Sequence, residues 1–248
     1  MGAVQAIAVT RQGAGPEILL VHGGASARTT WGELAPLSER WTLLLAHRRG
    51  YPPSPPEPDG HHDFDLDAAD LAPLLEGRPH VIAHSYGVLG TLIAAARQPQ
   101  RVRSLTLIEP PLYMVCDDDP QVAEFERIAE EVIAHGLDAD PATLRRFLRI
   151  AGAAVDDGPL PEDVARGVRR AHRARSPGEA RPDLDALRSA RVPTLVASGG
   201  HTPAVERICD ALAERLDAQR LIAPGAGHFV AAAPGFRERF ERFLSSLA

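Results

Sequence analysis

The segment Ala83-His84-Ser85-Tyr86-Gly87 carries the most specific chemical pattern in the sequence. A short apolar run precedes it and a helical pattern follows it, so the segment is predicted to form a tight strand-to-helix turn. Such a turn lifts a serine hydroxyl out of a sheet, where it can attack a substrate. Gly87 leaves room for the turn, and Ala83 is a small residue that such a turn tolerates. We therefore predict that Ser85 is a nucleophile rather than a structural turn serine.

A pair of glycines follows another apolar run, in the segment His22-Gly23-Gly24. Glycines after a strand let backbone N–H groups approach a ligand closely. The amide of Gly24, together with that of Tyr86, is predicted to form an oxyanion hole that stabilises negative charge on a substrate oxygen. The alternative is a glycine turn that only ends the strand.

The glycine-rich loop Pro224-Gly225-Ala226-Gly227-His228 follows the last apolar run. A histidine on such a loop, at the carboxyl end of a strand, is free to reach over the edge of the sheet. His228 therefore suits a general base that takes the Ser85 proton and later returns it to the leaving group.

Six short, mainly apolar runs predict the strands that position these residues. Helical patterns separate most of them, and strand alternating with helix predicts right-handed crossovers. The fold class is therefore α/β, with a doubly wound, mostly parallel sheet. The runs are 18–21, 43–46, 81–83, 105–108, 195–197 and 221–223.

The alternation of strand and helix breaks once, between residues 111 and 192, where three amphipathic helical patterns occur without a strand run. We predict an inserted helical cap at 111–190, and an α/β core made of 1–110 and 191–248. The alternative is three packing helices with no role at the site.

Composition limits the class of protein and its partners. The chain has 248 residues, a net charge of −6 and 44% hydrophobic residues, which is typical of a globular protein. No basic stripe predicts nucleic-acid binding, and no apolar run approaches the roughly 18–20 residues that span a bilayer. The absence of Lys and Asn excludes a lysine nucleophile and a Cys-His-Asn site. Two isolated cysteines favour reduced thiols in a cytoplasmic protein.

Taken together, these motifs resemble the α/β-hydrolase fold superfamily over nearly the whole chain. His22-Gly23-Gly24 matches the segment after the third strand of that fold, and Arg48-Arg49-Gly50 the segment after the fourth. The Ser85 turn matches the segment after the fifth strand, the cap follows the sixth, and Gly225-Ala226-Gly227-His228 follows the eighth. The resemblance implies a Ser-acid-His triad and does not identify the substrate.

The acid departs from the pattern of that superfamily. Most members carry an Asp after the seventh strand, but here the segment reads Gly199-Gly200-His201-Thr202-Pro203, and the next acid, Glu206, is predicted to point away on a helix. Some relatives, among them haloalkane dehalogenases, take the acid from the end of the sixth strand, where this chain has Glu109. We therefore predict Glu109 as the triad acid. A Ser-His dyad, a carboxylate from the 63–70 helix, and a Glu109 that only anchors the cap hinge stay open.

Three further residues are predicted to bind substrate. Tyr113 and Met114 begin the cap, and His201 stands where the usual acid would be. We predict no cofactor and no metal, because His61-His62 and the acids beside them are typical of a solvated loop and a helix cap.

The sequence therefore predicts a serine hydrolase that cleaves a small-molecule ester and binds no nucleic acid or membrane. A thioesterase or C–C bond hydrolase with the same triad is the alternative, and so is a non-catalytic small-molecule receptor. Ser at the turn argues against dehalogenase or epoxide hydrolase chemistry, for which this fold uses Asp. A homodimer stays open.

Overall fold

A single twisted sheet organises the computed structural model, which describes residues 5–58 and 60–247. Within those ranges the sheet has seven strands in the order β1-β3-β2-β4-β5-β6-β7. All neighbouring strands are parallel except β1, which runs antiparallel to β3. The strands are β1 Val9–Gln12, β2 Glu17–Val21, β3 Thr42–Ala46, β4 His80–His84, β5 Ser104–Ile108, β6 Thr194–Ser198 and β7 Gln219–Ile222.

Helices cover both faces of this sheet, and the predicted doubly wound α/β fold is confirmed. All six predicted strand runs are present as β2 to β7. The helices are α1 Ala27–Trp31, α2 Phe64–Leu71, α3 Gly87–Arg97, α4 Pro120–His135, α5 Pro141–Ile150, α6 Glu162–Ala171, α7 Leu184–Ser189, α8 Pro203–Leu216 and α9 Phe236–Ser245. Among these described helices, none is both long enough and apolar enough to cross a bilayer.

The central strands are buried on both faces because their side chains alternate between two apolar layers. Val81 and Ala83 of β4 face a layer that includes α2, α3 and α8. Ile82, between them, faces a second layer that includes α1 and α9. Burial on both sides explains why these strands read as continuous apolar runs.

Strand β1 was not predicted, because its sequence has little of the apolar character of a buried strand. It lies at the edge of the sheet, and three of its four residues are exposed. Pairing with β3 supplies its hydrogen bonds, so it needs no buried side-chain face.

Helices α4, α5 and α6 enclose a small apolar cluster of their own: Val132, Ala139, Leu144, Leu148 and Val168. Helix α7 differs from them, because it packs against α3 and α8 beside the sheet. The division into core and cap at 110/111 and 190/191 remains a prediction, and the residues next to its second boundary pack with the core.

Candidate active site

The turn after β4 holds Ser85 in an uncommon backbone conformation. Its φ is +53°, in the left-handed region that disfavours side chains, and its N–H donates to Ile108 O on β5 at 2.8 Å. Two glycines make the turn sterically feasible. A Cβ on Gly87 would lie 2.2 Å from His22 O, and one on Gly23 would lie 2.7 Å from Ser85 Cβ. The local sequence therefore positions a half-buried hydroxyl where β4 meets α3.

The loop after β2 lies against this turn and is fixed by polar contacts. His22 is buried, and its Nε2 accepts the Arg48 N–H at 3.0 Å, while the Tyr51 hydroxyl donates to Gly24 O at 2.9 Å. Among the described residues, the amides of Gly24 and Tyr86 donate no hydrogen bond within the protein. Both predicted oxyanion donors are thus unengaged.

A buried ion pair supports this loop from behind. Arg48 and Asp67 are 2% and 5% exposed, and Arg48 Nη2 lies 2.6 Å from Asp67 Oδ2. Arg48 also donates from Nη1 to Gly23 O at 3.0 Å, so one guanidinium joins α2 to the glycine loop. Its fixed fork of donors suits such simultaneous contacts.

The turns after β5 and β7 bring Glu109 and His228 together. Glu109 Oε2 lies 3.3 Å from His228 Nδ1, slightly longer than a typical hydrogen bond. Like Ser85, Glu109 has a positive φ, here +52°, and it is only 2% exposed. The backbone N–H of Gly199 donates to its other oxygen, Oε1, at 2.7 Å.

Burial sets the ionisation of this pair. It raises the pKa of Glu109 to about 7, while the Gly199 N–H and the neighbouring His201 act in the opposite direction. Burial also lowers the pKa of His228 to about 3, so that its ring is neutral at physiological pH. A neutral imidazole is the form that can accept a proton.

No hydrogen bond joins Ser85 Oγ to the His228 ring in residues 5–58 and 60–247, and Glu109 is the ring's only carboxylate partner there. Contacts between a nucleophile and its base are often long without substrate and tighten when it binds. The backbone beside the ring is fixed by His84, whose Nε2–H donates to the carbonyl oxygen of His228 at 2.8 Å.

His201 lies beside the same carboxylate. Its Nδ1 is 3.8 Å from Glu109 Oε1, and its Nε2–H donates to Ile150 O at the end of α5 at 3.1 Å. The structure therefore brings His201 next to the predicted acid. Contact of His201 with a substrate remains a prediction.

The other candidate carboxylates are engaged elsewhere. Glu206, on α8, accepts from Ser198 Oγ and from Gly200 N and pairs with Arg220. On α2, Asp67 binds Arg48 and Asp70 binds Arg49. Neither the 63–70 helix nor Glu206 contributes a described contact to the His228 ring.

Tyr113 and Met114 lie in the turn that leads from β5 into α4. Tyr113 is 3% exposed and packs edge-to-face on Phe125, with 5.6 Å between ring centroids. Met114 packs against the same apolar layer. These contacts give Tyr113 a packing role, and the substrate contacts of both residues remain predictions.

Sequence reasoning missed three contributors to the site: His84, Tyr51 and Gly152. His84 is the last residue of an otherwise apolar run, and Tyr51 lies in a proline-rich loop, so neither pattern indicated a role at the site. Gly152 lies just beyond α5 with a φ of +80°, and a Cβ there would be 2.9 Å from His228 Cβ. The only signal for Gly152 was a glycine directly after a helical pattern, which is a common way to end a helix.

Two surface cavities lie away from this cluster. One, of about 1100 Å³, is lined by residues that precede β4, β5 and β6, including Arg78, Arg103 and Pro193. The other, of about 400 Å³, lies between α2, α3 and residues 175–183. Ligands of open α/β sheets bind at the carboxyl ends of the strands, which favours the Ser85 edge over the larger cavity.

Comparison with known proteins gives a family match across most of the chain. A model of the alpha/beta hydrolase family matches residues 18–237. A 2-(acetamidomethylene)succinate hydrolase of Mesorhizobium japonicum is 28% identical over 239 residues, which cover 90% of this chain and 84% of that protein. A pimeloyl-[acyl-carrier protein] methyl ester esterase of Aeromonas hydrophila is 29% identical over 119 residues, 47% of each chain.

Solved structures agree with this match at the level of the fold. The crystal structure of a bacterial membrane phospholipase A has a TM-score of 0.71 and 23% sequence identity to this chain. The alignment covers 97% of this chain and 83% of that one.

Proposed function

We propose, because the chain belongs to the alpha/beta hydrolase family, that it cleaves a small-molecule ester through an acyl-enzyme formed on Ser85. Its relatives are hydrolases and esterases, and the chain is an enzyme of that kind. The comparisons support a hydrolase. The triad, the bond that is cleaved and the class of substrate are proposed in addition.

The observation that carries the proposal is the backbone of Ser85. Five non-glycine residues among those described have a positive φ, and three of them, Arg78, Arg191 and Asp217, lie in exposed turns. Ser85 and Glu109 are the two inside the molecule, each directly after a central strand. Strained conformations of this kind persist where the surrounding structure enforces them, and they cluster at functional sites.

In the proposed mechanism, Ser85 Oγ attacks the ester carbonyl carbon while His228 Nε2 takes the hydroxyl proton. The amides of Gly24 and Tyr86 donate hydrogen bonds to the tetrahedral oxyanion. His228 then protonates the leaving alcohol, and the alcohol departs from the acyl-enzyme. Water, deprotonated by the same ring, cleaves the acyl-enzyme and regenerates Ser85. Glu109 holds the Nδ1–H tautomer of His228 and stabilises the imidazolium.

Two other functions use the same residues. A thioesterase or a C–C bond hydrolase needs the same nucleophile and base, and the name of the Aeromonas relative favours an ester over both. A small-molecule receptor would need the pocket but not repeated turnover.

The test is a panel of short- and long-chain esters and matched thioesters, measured with the wild type and with Ser85→Ala. The variant is expected to lose roughly 10⁴-fold or more in kcat and all labelling by a fluorophosphonate probe, with its thermal unfolding unchanged. Ser189→Ala, an exposed serine in α7, is the matched control and should keep both rate and labelling. A Ser85→Ala variant that still cleaves esters at a near-native rate contradicts the mechanism. Labelling of the wild type without multiple turnover favours the receptor.

A further inference from the structure

We propose that Glu109, His201 and His228 form a site for a divalent transition metal such as Zn²⁺, and that a metal bound there inhibits the enzyme. The three residues follow three adjacent strands, β5, β6 and β7. One potential ligand atom from each lies within 4.8 Å of the other two. The inhibitory part rests on the proposed function, because it assumes that His228 is the base.

The hydrogen bonding of His201 provides the main argument. Ile150 O can only accept a hydrogen bond, so the His201 Nε2 that lies 3.1 Å from it carries the ring proton. In the tautomer with the proton on Nε2, Nδ1 is a bare acceptor, buried and without a partner among the described residues. A buried acceptor without a partner is costly and calls for an explanation.

The neighbour of that nitrogen is a second acceptor. Glu109 Oε1 lies 3.8 Å from His201 Nδ1, which is too long for a hydrogen bond even if the ring were protonated there. Two acceptors facing each other at this distance are suited to a shared cation. A tetrahedral Zn²⁺ ion with bonds of about 2.0–2.2 Å holds its ligand atoms roughly 3.3–3.5 Å apart.

The third ligand completes this geometry. His228 Nδ1 lies 3.3 Å from Glu109 Oε2, and one ligand atom from each of the three residues lies within 4.8 Å of the other two, so a bound metal would draw these atoms closer together. Two imidazole nitrogens and one carboxylate, with one open position, form a ligand set that zinc accepts. Metal ligands are usually oriented by outer hydrogen bonds, and here Ile150 O orients His201 while the Gly199 N–H orients Glu109.

The site depends on the same departure from the superfamily pattern that leaves the usual acid absent. His201 stands in the segment after β6 where the superfamily pattern has a carboxylate. A metal on His228 Nδ1 moves the ring proton to Nε2, the nitrogen that must accept the Ser85 proton. Binding therefore competes with catalysis, and a chelator should reverse it.

Zinc binding to the full chain, measured by competition with a chromophoric chelator, tests the site without any substrate. The wild type is expected to bind one Zn²⁺ with a micromolar or lower dissociation constant. His201→Gln, whose amide can keep the bond to Ile150 O, should weaken binding at least about 10-fold. The matched control is His135→Gln. His135 Nδ1 lies 3.3 Å from Glu131 Oε1 on the exposed face of α4, in a His-Glu pair that the three-residue cluster does not include.

Wild-type binding weaker than about 100 μM, outside the expected range, overturns the proposal, and so does equal affinity of the wild type and the folded His201→Gln variant. Ser85→Ala should bind zinc like the wild type. Inhibition of ester hydrolysis, scaled to each protein's own metal-free rate, should need at least about 10-fold more zinc in His201→Gln. Specific zinc binding without ester hydrolysis refutes the proposed function alone. Hydrolysis without zinc binding refutes this inference alone.

Discussion

The two halves of the candidate site differ in how completely their polar groups are paired. The β2–β3 half consists of the loops that follow those strands, residues 22–24 and 48–51. The β5–β7 half consists of Glu109, His201 and His228. Both are built on carboxyl ends of the same sheet, so the contrast does not come from the scaffold.

In the β2–β3 half, each buried side chain is fixed by a short contact. Arg48 binds Asp67 and Gly23 O, the Tyr51 hydroxyl binds Gly24 O, and His22 accepts the Arg48 amide. The unengaged groups beside it are the amides of Gly24 and Tyr86, the donors assigned to a transition-state oxygen.

In the β5–β7 half, pairing is looser. The Glu109–His228 contact is 3.3 Å, His201 Nδ1 is 3.8 Å from the same carboxylate, and that nitrogen is buried without a partner among the described residues. The comparison teaches that donors for a developing charge are best fixed in advance, whereas groups that gain and lose a proton need room to adjust.

Among the variants, Glu109→Gln should show most clearly that the β5–β7 half controls the rate rather than the stability. The amide keeps the size of the side chain but cannot stabilise a His228 imidazolium as well, and kcat should fall by up to about 10⁴-fold. Thermal unfolding should change little, because a neutral side chain suits a buried position. Steady-state kinetics and calorimetry check both parts.

Glu206→Gln is the matched control for that variant. This carboxylate binds Arg220 and Ser198 rather than His228, so its loss should affect stability more than kcat. If Glu109→Gln instead unfolds readily and keeps its kcat, Glu109 is an anchor of the cap hinge and the acid lies elsewhere.

In the β2–β3 half, Arg48→Met should mainly lower the free energy of unfolding. Removing one partner of a buried ion pair leaves Asp67 uncompensated, at a cost of about 3–5 kcal/mol in the free energy of unfolding. Denaturant titration measures this loss. The double variant Arg48→Met/Asp67→Leu should recover most of the stability, because neither charge then remains buried. A double variant as unstable as the single one would show that the Gly23 contact, not the ion pair, is the stabilising element.

The pH dependence of kcat/KM should come from the β5–β7 half alone. Burial raises the pKa of Glu109 to about 7 and lowers that of His228 to about 3, so Glu109 is the group that limits activity near neutrality. The rate should rise as the pH passes upward through about 7, and this rise should be absent in Glu109→Gln. A wild-type profile that is flat from pH 5 to 9 contradicts the assignment.

The same shift fixes the sign of a stability effect. The pKa of Glu109 is higher in the folded chain than its ordinary value of 4.5, so the folded state binds the proton more tightly between about 4.5 and 7. The contribution of Glu109 to the free energy of unfolding therefore falls as the pH rises through that window. Comparing the wild type with Glu109→Gln across those pH values isolates this contribution.

Gly152→Ala should give the smallest effect, and it tests whether the cap helps to position His228. The added Cβ would lie 2.9 Å from His228 Cβ, and the alanine would have to keep a φ of +80°. We expect a loss of about 1–2 kcal/mol in the free energy of unfolding and a several-fold decrease in kcat. Gly235→Ala has a similar φ of +76° but its nearest neighbour is 3.8 Å away at Arg239. Gly235→Ala should lose similar stability without a decrease in kcat. Equal decreases in kcat in both variants would show that the cap does not help to position His228.

The fold was predictable because its strands and helices leave strong local patterns. Six of the seven described strands contain a short, mainly apolar run, and the helical patterns after the third and fifth runs appear as α3 and α8. Strand β1 was not predictable in this way, because an exposed edge strand is defined by its pairing partner.

The candidate site was predictable only in part. Glu109 was predicted from the superfamily resemblance, in which some members take the acid from the end of the sixth strand, and from the missing carboxylate in 199–203; in the structure it lies beside His228. The Arg48–Asp67 pair and the bond from His201 to Ile150 join residues 19 and 51 positions apart, and no local pattern specifies such contacts. Contacts between distant side chains depend on which loops meet in the folded chain. The periodic patterns that predict helices and strands do not specify where loops meet.

The span of chain between Glu109 and His228 has a consequence for how the protein acquires activity during refolding. The two residues are 119 positions apart, and His84 and His228 are 144 apart. Contacts of such high sequence separation carry a loop-closure entropy and slow folding. His228 follows β7, an edge strand whose only neighbour in the described sheet is β6. We therefore expect the parallel centre of the sheet to form first, and catalytic competence to arrive late, with the docking of that edge strand.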